Sequence, residues 1–372
     1  MSKCLGFIGV IPCLFIGSCS DALDIEVDTV TFIHPDEIVK GEGVIVLADR
    51  RIFALMAFMN ATGYDEELEK QMHPVRVKVR EMLKNNLAKT PEKFRVWQEY
   101  YKEKNLESYH YLDFALSLNS DYPFRRIRPS SESVYPFAAS KLSDFPDVLN
   151  DFWTTADLEK VWNEVKPDYV EELKKYDFEK MKRQLSFLWE YLRMERRDTY
   201  VLVNIPNLLD SYYQAIGAHY ENYYYSVEGP GATSYALNIH EYLHSIVNPI
   251  VEANYNRYTQ KLEEYYQAGK DQPLARHYQQ PVTFAFECLV RALDRRVQVK
   301  MADDPAVKKI LEDGAAHETK TGLTLTQPFY LLLSEYEMSD KNFEEFVPTM
   351  LERLPKYGKY ETHEDTNQTE GR

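Results

Sequence analysis

The chain has 372 residues, with 59 acidic against 44 basic side chains and a formal net charge of -15; it is 44% hydrophobic and 13% aromatic. That is enough apolar material for one large core without disulfide or metal staples. The acidic balance argues against a nucleic-acid backbone or an anionic membrane surface as the main partner and fits a neutral or cationic substrate.

Residues 1 to 19 differ from the rest: Lys3 is the only charge, "CLGFIGVIPCLFIG" is apolar, and the segment ends in "IGSC". This has the form of a secretory signal, too short to span a membrane durably. Ile16, Gly17, Ser18 and Cys19 resemble a bacterial lipobox, which implies a lipid on Cys19 and anchoring at the cell envelope. Ser20 after that cysteine resembles outer-membrane sorting; the alternative is a plain signal peptide cleaved nearby. Cys4 and Cys13 would leave with the signal, so Cys288 stands alone in the folded part and no intramolecular disulfide is expected.

Residues 20 to 44 mix β-branched residues with turn formers and predict a strand or two. From "GVIVLADRRIFALMAFMNATG" (43–63) onward, apolar residues recur at three- and four-residue spacing and predict amphipathic helix. The pattern continues through 64–105 and 144–197, with breaks expected at Pro74, Pro91 and Pro167. The basic run "FRRIR" (124–128) reads as a solvated or ion-paired loop. "TYVLVNIPNLL" (199–209) predicts a strand, and "GAHYENYYYSVEGPG" (217–231) a second extended segment closed by a Gly-Pro-Gly turn. A helix follows through 235–248, with further helices near 250–268, 281–300, 303–314, 324–337 and 341–353. The fold class expected is α+β, mainly helical around a small sheet. After the signal come a mainly helical region (20–198) and a metal-binding region (199–355) that forms one compact unit with 45–198. The tail, 356–372, is polar and expected to be disordered.

"ALNIHEYLHSIVNP" (236–249) carries the chemistry. On a helix His240 and His244 lie one turn apart on one face, where two imidazoles can hold a tetrahedral zinc, with Glu241 beside them. A carboxylate there can act as general base on zinc-bound water, whose pKa the metal lowers to about 7. Ile239, Tyr242, Leu243, Ser245 and Ile246 are uncharged, as a metal-binding helix in a protein's middle requires. The bland alternative is a half-buried helix whose histidines hydrogen-bond to neighbours.

Zinc needs a third protein ligand, and the extended H-E-x-x-H-x-x-G-x-x-H form is ruled out because Val247 and Ile250 stand at its glycine and third histidine. Glu263 and Glu264 follow His244 by nineteen and twenty residues, but in a strongly polar segment that reads as a solvated face. Glu287 is the better candidate, a lone carboxylate in the apolar stretch "PVTFAFECLVRALDRR" that is costly to bury without a cation. Zinc is one such partner and Arg291, four residues on, the other; a plain Glu287–Arg291 pair is the alternative. With zinc present, Arg291 would orient Glu287 or the substrate carbonyl, and Asp294 could extend the network. For a group stabilising the oxyanion the candidates are Tyr235, Tyr242, Tyr278, Tyr330 and His277, with His277 and Tyr330 preferred.

With "HEYLH" followed by "SIVNP", and "FECLVRALDRR" some forty residues later, the chain resembles an uncharacterised family of bacterial secreted or lipid-anchored proteins similar to glutamate-zincin metallopeptidases. The similarity runs from near 48–67 to near 343–354. It implies a zincin-like fold with a central metal helix and a helical C-terminal part. It also implies Zn2+ held by His240, His244 and Glu287, with Glu241 as base. In zincins an edge strand upstream of the metal helix pairs with an extended peptide substrate, a role that suits "YENYYYSVEG"; a Tyr-rich hairpin packed on the core is the alternative. The function expected is hydrolysis of peptide bonds in a peptide or protein substrate at the cell envelope. The alternatives are a non-catalytic envelope lipoprotein binding a peptide or glycan, and an amidase acting on cell-wall peptides. No Gly-rich phosphate loop or Cys cluster points to a nucleotide, flavin or haem.

Overall fold

In a computed structural model, residues 43–63, 73–196, 199–204, 217–220, 223–229 and 239–357 are described. The signal segment with Cys19, residues 20–42, Tyr235 and most of the polar tail lie outside them.

The first departure from the periodicity comes at once. Val44–Leu47, read as the start of a helix, is strand β1, and helix α1 (Arg50–Thr62) begins only after Asp49. Four apolar residues in a row carry no period of their own, and three of them are β-branched, which suits a pleated surface. Asp49 then starts the helix, its carboxylate accepting the amides of Arg51 (2.9 Å) and Ile52 (3.3 Å).

Strand β1 pairs in parallel with β2 (Thr199–Asn204), Val44 opposite Tyr200. A parallel pair needs a crossover, and here the crossover is the whole helical half of the chain. It holds α2 (Pro74–Leu87), α3 (Pro91–Lys104), α4 (Ser108–Leu116), α5 (Pro136–Lys141), α6 (Phe145–Thr155), α7 (Leu158–Leu173) and α8 (Phe178–Leu192). Described residues from both halves share one buried apolar cluster. Pro74 and Pro91 open helices, where a missing N–H costs nothing. Pro167, expected to break a helix, sits inside α7, whose flanking Val165 and Tyr169 are buried. In the "FRRIR" loop Arg125 and Ile127 are solvated as expected, while Arg128 donates to the Leu116 carbonyl (3.2 Å) and lies over the Tyr220 ring.

The stretch expected to be one extended edge is two strands, β3 (Gly217–Tyr220) and β4 (Tyr223–Glu228). The sheet order is β1-β2-β4-β3, with β4 parallel to β2 and β3 antiparallel to β4. The Tyr-rich segment is therefore interior. Tyr224 through Glu228 are all buried, too apolar in their surroundings to face solvent at an edge, and the outer position falls to β3.

Five helices complete the described residues: α9 (Ile239–Gly269), α10 (Pro281–Met301), α11 (Pro305–Lys320), α12 (Thr326–Glu337) and α13 (Phe343–Arg353). The helices expected on either side of Pro249 are a single helix, α9. Pro249 is exposed while Ile246, Val247, Ile250 and Val251 are buried, so packing holds the helix together across the lost hydrogen bond. It does not hold it straight. His240 reaches Glu287 and Tyr266 stacks edge-on against Phe284, only one turn apart on α10. A straight helix would separate 240 from 266 by about 39 Å, farther than those contacts span together. Helix α9 therefore bends around α10, and Pro249 lies on the outer, solvent side of the curve. Among the described residues no helix is long and apolar enough to cross a membrane.

Candidate metal centre

At 100° per residue, His240 and His244 occupy one side of α9 while Tyr242 and Ile246 occupy the opposite side. The Tyr242 side is fixed by the sheet: its ring meets those of Tyr200 (5.0 Å) and Tyr224 (5.5 Å). Tyr224, from the middle of β4, also donates its hydroxyl to the Glu241 carbonyl at 2.5 Å. With that face held, the two histidines point away from the sheet and towards α10.

There they meet Glu287, a carboxylate only 5% exposed on a helix whose neighbouring residues Phe284, Ala285, Cys288 and Leu289 are fully buried. Glu287 Oε1 lies 3.7 Å from His240 Nε2, and Oε2 lies 3.5 Å from His244 Nε2. One donor atom from each residue falls within 4.8 Å of the others. Donors around a tetrahedral zinc, each about 2.0–2.1 Å from it, are about 3.3 Å apart. The two histidine–carboxylate distances exceed that by a few tenths of an ångström, and closing the whole trio from within 4.8 Å takes side-chain shifts of up to about 1.5 Å. The imidazole planes are 82° apart, which lets both Nε2 atoms face the same point.

The charges suit a divalent cation. Burial, only partly opposed by Glu287, lowers the His240 pKa to about 4, so this imidazole is neutral at physiological pH. Burial would also lower His244, but its hydrogen bond to Glu287 and the Glu287 charge outweigh that and raise it. Burial would raise Glu287; hydrogen bonding to His244 and the charge of Arg291 instead hold it well below the usual carboxylate range. His244 Nδ1 lies 3.1 Å from Asn248 Oδ1, one turn on, and by donating there it turns its Nε2 lone pair to the cluster.

No family model, curated protein or solved structure matches this chain. What the site can do rests on its own geometry.

Behind Glu287, Arg291 Nε donates to Oε1 at 2.5 Å, as a partner four residues on should, and Nη1 donates to Glu318 Oε1 at 2.8 Å. Asn248 and Glu318 are the residues that sequence reasoning missed. Asn248 has a local signal, four residues after a candidate ligand on the same helix. Glu318 has none, because it arrives from α11 by tertiary packing.

The remaining candidates separate cleanly. Glu241 is half-buried beside His240, and its charge also raises His244. Glu263 and Glu264 lie more than five turns along α9 from His244, on the same helix, and Glu263 accepts from Gln267. His277 is exposed and placed against Arg276. Tyr330 packs under Arg296, about 13 Å along α10 from Glu287. Neither preferred oxyanion candidate therefore sits in the cluster; of the other candidates Tyr278, next to His277, is the one whose phenol interacts with Glu287. Burial, and then the charge of Glu287 with which it interacts, hold its phenol protonated. Asp294 hydrogen-bonds Gln298 (2.8 Å) instead of extending the arginine network. Tyr242 is structural, locked among the tyrosines of the sheet.

Access comes from the histidine side: the side chains of His240 and His244 are 23% and 22% exposed, against 7% for Glu287.

Proposed function

We propose that the protein is a zinc metallopeptidase with a zincin-like arrangement, carried by the convergence of His240, His244 and Glu287 from two helices whose ligands are 43 residues apart in sequence. Chance rarely brings a lone buried carboxylate to the two histidines of an H-E-x-x-H helix. A zinc ion held there supplies a Lewis acid for the scissile carbonyl and lowers the pKa of water to about 7. The chain's own residues do the rest. Glu241, on the flank of α9 next to His240, takes the proton of the attacking water and passes it to the leaving amine. Tyr278 donates to the carbonyl oxygen as negative charge develops on it. An extended peptide adds to the outer strand β3, whose far side pairs with no described strand and whose register sets His219 opposite Tyr224, the residue bonded to the first turn of α9. The signal-like sequence of residues 1–19 supports a bacterial cell envelope as the location of this chemistry, with anchoring through Cys19.

The test is the metal content of the purified protein together with hydrolysis of a mixed peptide library. Bound zinc with cleavage that a chelator abolishes supports the reading. Zinc without cleavage of any peptide removes the peptidase assignment, and failure to bind zinc even on incubation removes the metal site as well.

A further inference from the structure

We infer that Glu318, on α11, is a positioning residue for Glu287, acting through Arg291; this rests on the metal-site reading above. Glu318 is 4% exposed and accepts three hydrogen bonds from two guanidinium groups: Arg291 Nη1 (2.8 Å), Arg295 Nη2 (2.6 Å) and Arg295 Nε (3.0 Å). Arg291 is thereby stretched between two carboxylates, one of them the candidate ligand. Two anions and two cations balance, so the group carries no net charge into the protein.

That balance matters when a cation binds. Arg291 alone beside Glu287 would neutralise the ligand and be repelled by the incoming metal, and its side chain, 33% exposed, could swing to solvent. Glu318 holds Arg291 in place against that repulsion. Arg291 Nε then stays on Glu287 Oε1, fixing the carboxylate so that Oε2 faces His244. Backbone geometry serves the same end. The Glu318 carbonyl accepts the amides of Thr321 (3.2 Å) and Leu323 (2.9 Å), which fixes the last turn of α11. One turn earlier stands Gly314, where a Cβ would lie 2.1 Å from Arg295 Nη1. A glycine in the middle of a helix is unfavourable by itself, and here it leaves room for the second arginine.

The experiment measures zinc affinity by chelator competition, and thermal unfolding of the metal-free proteins, for wild type, Glu318→Gln, Gly314→Ala and Glu337→Gln. Glu337 is the control: also on a helix packed against α10, bonded to Arg296, Lys300 and Tyr191, but away from the cluster. Glu318→Gln should weaken zinc binding about 10- to 100-fold, the usual effect of losing a partner that orients a ligand. Gly314→Ala displaces only the far end of Arg295, so it should fold normally and still weaken zinc several-fold. Glu337→Gln should bind zinc like wild type whatever stability it loses. Wild-type affinity in both Glu318→Gln and Gly314→Ala would overturn the inference, as would an equal loss in Glu337→Gln. Absence of zinc binding in wild type would instead overturn the metal site on which the inference rests.

Discussion

His244 Nε2 stands 3.5 Å from Glu287 Oε2, and nothing local in the chain makes that contact. It exists because the Tyr242 face of α9 is locked to the sheet, which turns the histidine face to α10, and because the residue waiting there is Glu287, a carboxylate set among the buried Phe284, Ala285, Cys288 and Leu289. Removing that carboxylate should remove the metal. Glu287→Ala is expected to abolish zinc binding while Glu264→Ala, more than five turns along α9, keeps it; elemental analysis of both proteins after dialysis checks this.

In the proposed mechanism Glu241 serves the reaction and not the metal. Glu241→Gln preserves shape and the backbone bond from Tyr224, so bound zinc should remain. Hydrolysis should fall by about 10²- to 10⁴-fold, the range for loss of a positioned general base. Loss of metal and fold together in this variant would count against the assignment.

The sequence made the meeting of His240, His244 and Glu287 legible for a physical reason. An isolated carboxylate in "PVTFAFECLVRALDRR" and two histidines four apart both announce buried polarity that requires a partner. Helix starts were legible where proline or a capping residue marks them, as at Pro74, Pro91 and Pro281. The misreadings arose where long-range packing overrode a local rule. "VIVL" carries no period, and only pairing with β2 makes it a strand. Pro249 and Pro167 break helices in isolation, but burial on both sides holds α9 and α7 together. Glu318 was invisible because a glutamate in a polar helix looks solvated until another helix brings two arginines to it.

The Tyr224 hydroxyl bond to the Glu241 carbonyl ties the first turn of α9 to the sheet at 2.5 Å. Tyr224→Phe keeps the ring packing and deletes only this bond. The expected loss is about 1 kcal/mol of stability, read from the shift of the denaturant midpoint. Activity should fall by more than stability suggests, since Glu241 is the residue whose backbone loses its anchor.

Tyr278→Phe separates transition-state stabilisation from packing. The phenol interacts with Glu287, and its ring faces Phe284 across the start of α10, contacts that phenylalanine retains in part. If the hydroxyl donates to the developing negative charge, kcat should fall by about 10²- to 10³-fold with zinc affinity nearly unchanged. An unchanged kcat would leave Tyr278 as a packing residue.

The Glu318 network also predicts a pH dependence of folding, with a definite sign. Burial would raise the Glu318 carboxyl, but the hydrogen bonds and charge of Arg295, and then the charge of Arg291, outweigh it and hold its pKa below the ordinary value. A folded-state pKa below the unfolded value of about 4.3 means that the unfolded chain binds the proton more readily. The carboxylate therefore stabilises the fold fully above that unfolded value, and the contribution is lost as pH falls through the lowered folded-state pKa. The stability difference between wild type and Glu318→Gln, measured by denaturant unfolding of metal-free protein, should be constant from pH 7 to about 5.5 and should shrink below about pH 4.3. A gap that widened on acidification would mean that Glu318 is already protonated in the folded protein. Arg291 would then have no anion but Glu287 to answer to.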